Sequence, residues 1–242
     1  MKIGIINVVD TTLKDNSKPG LKLMDAKWSV KTAGPSPFNN ERTELFLLGC
    51  KKAIEGNPCK GCFNSSTWDS SKVTLLHDPI KMAEHINNVA PNKYITIGGG
   101  EPTDQIDGLI LLCKELKEKY NFNIMIYTWR NLEEELKLEP IKTYSDGENK
   151  KTFKRSIGDK LKELIKYVDI IVDGEFKLEE RLWDGSKEDG FISSIGSGNQ
   201  IVWNIQKGYG YSMKDIHSLK LTKNNLLQYE LKTNAKRHQI IK

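Results

Sequence analysis

"KYITIGGGEPTDQIDGLILLCKELKEKYNFNIMIYTW" occupies residues 93–129. Residues 93–100 read as a buried apolar strand running into three glycines. Residues 103–120 read as a helix opened by Thr103 or Asp104, and residues 122–129 as another strand. A strand, a helix and a strand in that order form a crossover unit, so the two strands lie parallel. The rest of the chain repeats the pattern. "TELFLLG" (43–49) is a β-rich run. "DPIKMAEHINNVA" (78–90) sets Ile80, Ala83, Ile86 and then Val89 or Ala90 at helical spacing, with Asp78 as cap and Pro79 in the first turn. "NLEEELKL" (131–138) begins a helix and "DKLKELIKY" (159–167) is a short amphipathic one. "VDIIVDGEF" (168–176) and "QIVWNI" (200–205) are further strands. Residues 139–158 are polar and hold Pro and Gly, which reads as a loop or mobile insertion.

Alternating strands and helices predict an α/β protein with a parallel sheet, whose binding residues gather at the carboxyl ends of the strands. "GCKK…CKGC", "GGGEP", "YTW" and "DGEF" each follow a strand, so the pattern predicts one shared site. Segments 1–42 and 206–242 fit the pattern poorly and read as flanking elements on a single domain, 1–242, with its core at 43–205.

The chain has 242 residues, 38% hydrophobic and 29% charged, which is globular composition and long enough for a packed core. No apolar run approaches the roughly 20 residues of a membrane span. "MKIGIINVVD" reads as a strand rather than a signal peptide. The expectation is a cytoplasmic protein with no membrane partner and with reduced thiols. A net charge of +5 is too mild to predict direct nucleic-acid binding, and the basic end "KTNAKRHQIIK" reads as a solvated tail.

Three of the four cysteines lie close together, Cys50, Cys59 and Cys62, spaced C-x8-C-x2-C. Clustered thiolates in a reducing compartment suit zinc or an iron–sulfur cluster. Cys113 lies between Leu112 and Lys114 on a helix and reads as a core residue. His77 would complete a Cys3His zinc site, a reading that leaves the glycines unexplained. Three thiolates on a four-iron cluster leave one iron open to a nitrogen- and oxygen-bearing ligand.

"CKGCFNSSTWD" (59–69) resembles the cluster loop of radical S-adenosylmethionine enzymes, most of all the activating enzymes of anaerobic ribonucleoside-triphosphate reductases. "GGGEP" (98–102) resembles that superfamily's methionine-binding segment. "YTWRNLEEEL" (127–136), "VDIIVDGEF" (168–176) and "GSGNQIV" (196–202) resemble further activase segments, in the right order over about two-thirds of the chain. Two departures stand out: eight residues rather than three separate the first two cysteines, and "GPSPFNNERTELFLLGC" (34–50) matches the family lead-in loosely.

The resemblance implies an incomplete TIM-like barrel of about five or six parallel strands with outer helices. It implies a 4Fe-4S cluster and S-adenosylmethionine as cofactors. The activity is that of an oxidoreductase that cleaves S-adenosylmethionine to a 5′-deoxyadenosyl radical. The implied partners are the glycyl radical subunit of an anaerobic (class III) ribonucleotide reductase, and flavodoxin or ferredoxin as electron donor. Cys50, Cys59 and Cys62 then ligate iron. Gly98, Gly99 and Gly100 let the backbone approach a ligand, and Glu101 accepts a hydrogen bond from the methionine ammonium. Phe63 either packs on adenine or shields the cluster. Thr128 bonds the ribose or carboxylate, or is an ordinary strand-end hydroxyl. Asp173 and Asn199 bind the cofactor or the partner's glycine loop, or serve as caps. Trp68 and Trp129 read as packing residues. Wider first spacings occur in deazapurine biosynthesis, so a small-molecule enzyme such as 7-carboxy-7-deazaguanine synthase is the alternative. A zinc-bearing binding module is the third reading.

Overall fold

The computed structural model describes residues 4–7, 14–15, 17–22, 27–30, 32–33, 42–71, 76–137, 157–182, 196–214 and 238–239. The insertion read at 139–158 lies almost entirely outside them. In chain order the strands are β1 (Gly4–Asn7), β2 (Lys27–Val30), β3 (Thr32–Ala33), β4 (Arg42–Leu47), β5 (Tyr94–Gly99), β6 (Asn123–Tyr127), β7 (Ile170–Asp173), β8 (Ile201–Asn204), β9 (Tyr209–Ser212) and β10 (His238–Gln239). The helices are α1 (Lys51–Ile54), α2 (Pro79–Val89), α3 (Ile106–Glu118), α4 (Leu132–Lys137) and α5 (Gly158–Leu164). β1 and β2 form their own antiparallel ladder. The others make one sheet in the order β10-β9-β8-β7-β6-β5-β4-β3.

The crossover unit at 93–129 is present as read: β5 and β6 pair parallel, joined through α3. Its helix begins later than the sequence suggested. Pro102–Gln105 form a 3-10 turn first, because the Glu101 side chain accepts from Thr103 N–H and holds that turn closed. α2 starts as expected, with Asp78 Oδ1 accepting from the N–H groups of Ile80 and Lys81. Ile95 and Ile97 of β5 and Ile124 and Ile126 of β6 share one core with Met82 and Ile86 of α2 and Leu109 and Leu112 of α3. Each such buried side chain stabilises the fold by roughly 1.5–3 kcal/mol. Alternate residues face the other way, where Met125, Ile170, Val172, Val202 and Tyr211 form a second cluster.

Arg42 clamps the amino ends of the strands. It is 1% exposed and donates to Ile95 O, Asn123 O, Asn123 Oδ1 and Thr96 Oγ1. Burial without a bonded carboxylate pushes its pKa down to about 10.

The expectation of five or six parallel strands needs correction. β4, β5, β6 and β7 are parallel, but β8 runs antiparallel to β7 and β9 antiparallel to β8. The sheet is therefore mixed, and it is open, with β3 and β10 at its edges. The reason lies in residues 196–200. Gln200 Nε2 donates to Gly174 O and Asn199 Nδ2 to Glu175 O. The chain is thus tied to the carboxyl end of β7 just before β8 starts, and must re-enter the sheet from that end. β9 lies in the segment read only as a flank.

Candidate functional site

The cysteine loop is closed by the backbone. Gly49 N–H donates to Thr67 O at 2.8 Å and Cys50 N–H to Trp68 O at 3.0 Å. These two bonds bring the Thr-Trp pair back beside the first cysteine and close the loop that carries the other two. The extra residues form α1, a single turn with Cys50 at its cap position. Cys50 is buried, and Cys59 and Cys62 are half-buried; all are free thiols. Burial pushes the Cys50 thiol up to about 11, with help from the charges of Glu101, Asp104 and Cys59 and against an N–H bond from Ala53. Burial also raises Cys59, with Glu175 and Cys62 adding to it, while an N–H bond from Phe176 and the charge of Lys52 oppose it. Each thiol therefore feels the next one.

They do not meet at one point. Among the described residues no three His, Cys, Asp or Glu side chains converge on a position for a metal ion. His77 does not join the cysteines. It is 3% exposed, its backbone bridges Leu21, and burial lowers its pKa. A tetrahedral zinc at about 2.3 Å from each sulfur needs convergent thiolates. A four-iron cluster gives each thiolate its own iron and needs them spread around a rim. The donor set fits the cluster. Cys113 is buried in the core beneath α3, as read.

The three glycines differ. Gly99 lies opposite Leu47 in the ladder and has φ +105°; a Cβ there would overlap the Leu47 backbone. A Cβ on Gly100 would overlap the backbone of Gly49. Gly100 N–H donates to Leu47 O and Glu101 N–H to Gly49 O, so the turn is locked against the start of the cysteine loop. A Cβ on Gly98 would meet nothing within 4 Å. Gly99 and Gly100 are required by the protein's own packing, and only Gly98 faces free space.

Glu101 is 1% exposed and accepts four hydrogen bonds: Thr103 N–H and Oγ1 and Thr128 Oγ1 on Oε1, and Trp129 N–H on Oε2. Burial raises its pKa against those bonds. Glu101 and Thr128 are thus bonded to each other across the ends of β5 and β6. Asp104 and Arg130, both missed in the sequence, extend this hub. Asp104 Oδ2 accepts Lys51 N–H at 2.7 Å, next to Cys50, and Oδ1 pairs with Arg130 Nη2 at 2.9 Å. Arg130 also bonds Thr103 Oγ1 and Glu135. Trp129 is a packing residue here, its ring between Lys52 Nζ and the Arg130 guanidinium.

Asp173 is 1% exposed and holds the start of α4 by accepting Leu132 N–H at 2.6 Å. Burial pushes its pKa up to about 6, against that bond and one from the Trp203 side chain. Asn199 spans Glu175 O and Ser197 Oγ. Both side chains are committed to protein partners, one as a cap and one as a loop clamp. The loop they flank touches the cysteine loop: the Phe176 ring meets Phe63 edge-on at 5.0 Å, and Lys52 Nζ lies 3.3 Å from Glu175 Oε1. Phe63 is 41% exposed under the Arg181 guanidinium. Lys52 is not singled out in the sequence, and Glu175 and Phe176 enter it only as part of "DGEF".

The loops that follow β4, β5, β6 and β7 therefore meet at one end of the sheet. Residues 40–203, more than half of the chain and all the candidate side chains, match the model of the 4Fe-4S single cluster domain. The chain is similar to the anaerobic ribonucleoside-triphosphate reductase-activating protein of Enterobacteria phage T4, 26% identical over 155 residues, 60% of this chain and 79% of that protein. It is also similar to the proteins of that name from Haemophilus influenzae, 23% identical over 168 residues, and Vibrio cholerae, 24% over 168, each covering 66% of this chain and 86% of the relative. The extent of the match settles the family: the chain belongs to the family of 4Fe-4S single cluster domains.

Proposed function

We propose that this protein is a radical S-adenosylmethionine activase for an anaerobic (class III) ribonucleotide reductase. The observation that supports the proposal is that the loop bearing Cys50, Cys59 and Cys62 starts against the "GGGEP" turn, with Gly49 O accepting Glu101 N–H, in a chain whose relatives bear the activating-protein name. When bound and reduced, the cluster supplies the electron that splits S-adenosylmethionine into methionine and a 5′-deoxyadenosyl radical, which takes hydrogen from a glycine of the reductase.

The chain's own residues bind, orient and exclude. The three thiolates hold iron. The free space at Gly98 leaves room for the cofactor at the strand ends. The Glu101–Thr128 bond fixes the wall beside it, and Glu101 Oε2, with one donor on it, has capacity for an ammonium. Phe63, next to Cys62 and 41% exposed, packs on adenine or shields the cluster. An open sheet, like a partial barrel, leaves the rim reachable by a protein loop. The electron comes from a small reductant such as flavodoxin or ferredoxin. No described helix is long and apolar enough to cross a membrane.

The test is a mixture of the anaerobically purified protein, its reductase, reductant and S-adenosylmethionine. A glycyl radical doublet by electron paramagnetic resonance is the expected result. Its absence with a competent reductase overturns the activase assignment and favours a small-molecule substrate.

A further inference from the structure

Arg130 bonds the neighbours of Glu101 rather than Glu101 itself. Its Nε–H donates to Thr103 Oγ1 at 2.9 Å and its backbone N–H to Thr128 Oγ1 at 3.2 Å. Both hydroxyls in turn donate to Glu101 Oε1, at 2.6 and 2.8 Å. The direction of these bonds is not free. A guanidinium and a backbone N–H can only donate, so neither hydroxyl can aim its proton at Arg130. Each proton points at Oε1 instead. Thr103 N–H also donates to Oε1 at 3.0 Å, and Trp129 N–H, at 3.0 Å, is the single donor on Oε2 among the described residues. Glu101 therefore sits among donors only, as a carboxylate needs, although it is 1% exposed. Burial raises its pKa, and the Thr103 hydroxyl bond leads the contacts that lower it again. Arg130 is itself held in place. Nη2 lies 2.9 Å from Asp104 Oδ1 and Nη1 3.2 Å from Glu135 Oε1, and the guanidinium covers the Trp129 ring at 4.7 Å from its centroid.

We propose that Arg130 is a positioning residue for the amino group of S-adenosylmethionine: through Thr103 and Thr128 it fixes both hydroxyl protons on Oε1, so that Glu101 presents Oε2 as an acceptor. The inference rests on the functional reading above. Oε1, with three donors, is full, whereas Oε2, with one, has lone-pair capacity for an N–H of the ligand. Without the Arg130 Nε–H, the Thr103 hydroxyl is free to accept from Glu101 instead of donating to it. Burial then favours a protonated Glu101, which offers the amino group no charge. Arg130 acts through the two threonines and not on the ligand itself.

The test is an anaerobic calorimetric titration of the reconstituted protein with S-adenosylmethionine and with its analogue lacking the methionine amino group. Thr103→Val removes the hydroxyl at nearly constant shape and weakens S-adenosylmethionine binding about tenfold; Thr103→Ser restores it. Arg130→Met weakens it to a similar extent. Thr103→Val and Arg130→Met both leave the affinity for the deaminated analogue at the wild-type level, because only the amino group senses the state of Glu101. A role in folding alone would weaken both ligands together. The Thr103 pair carries the test if Arg130→Met does not fold. If the wild type binds S-adenosylmethionine while the variants keep its affinity, or lose both ligands alike, this inference falls and the functional reading stands. If the wild type binds no S-adenosylmethionine, both fall.

Discussion

Cys50 and Cys59 are held in different ways. Cys50 hangs from the parallel core: its N–H is bonded to Trp68 O, Gly49 interlocks with Gly100, and Asp104 grips the next residue's N–H. The stretch around Cys59 and Cys62 leans on the antiparallel part instead: Gly61 faces Leu178, Phe63 meets Phe176, and Lys52 pairs with Glu175, whose carbonyl Asn199 holds. The first support is backbone against backbone and leaves no space. The second is built from side-chain amides and a half-exposed ion pair, which substitutions can alter without rebuilding the core. The contrast assigns rigidity to one side of the loop and adjustability to the other.

The largest effect is expected on the rigid side. Gly100→Ala drives a Cβ into the Gly49 backbone, and neither chain can yield. Overpacking of this kind costs about 3 kcal/mol or more, readable as a lower urea midpoint; an unchanged midpoint would show that the two turns are not interlocked. Asp104→Ala strands the Lys51 N–H and removes one partner of Arg130, which keeps Glu135 and Thr103. The expected loss is about 2 kcal/mol, with weaker iron retention than in Asp104→Asn, which keeps an acceptor for Lys51.

Asp173 is expected to show in the pH dependence of the apoprotein. Its folded pKa, about 6, lies above the 3.8 of an ordinary aspartate. The folded state thus binds the proton more tightly, and stability from this group is full below pH 4 and falls as pH rises through 6. Asp173→Asn should flatten that fall, a change on the order of 1–3 kcal/mol between the two ends. An identical pH profile for the variant would contradict the burial argument. The smallest stability effect belongs to Gly98→Ala, whose Cβ meets open space. It should leave stability within about 0.5 kcal/mol and weaken S-adenosylmethionine binding by calorimetry. Intact binding would move the cofactor space elsewhere.

Periodicity carried much of the fold. The crossover unit at 93–129, the helix from Pro79 and the strands at 42–47 and 170–173 follow from apolar spacing and caps that any sheet-and-helix packing must honour. Strand direction is not encoded in that spacing. "QIVWNI" reads the same either way, and only the amides of Asn199 and Gln200, acting across more than twenty residues, turn it around. The thiols and the glycine turn stand out in the sequence because the chemistry proposed for them needs particular elements. Roles that depend on partners are not legible: Glu101 reads as an acceptor for the methionine ammonium and Asp173 and Asn199 as polar strand-end residues, but that each is bonded to its own chain is a tertiary fact. Asp104 read as a helix opener and proved to grip the residue after Cys50.

The central claim is that three thiolates hold a four-iron cluster with one iron open to S-adenosylmethionine. Its most direct test is electron paramagnetic resonance of the reduced, reconstituted protein before and after adding that cofactor, paired with product analysis. The spectrum should change on addition, and 5′-deoxyadenosine and methionine should appear together. A spectrum indifferent to the cofactor with no 5′-deoxyadenosine formed, or full iron content in a Cys50→Ala variant, would contradict it.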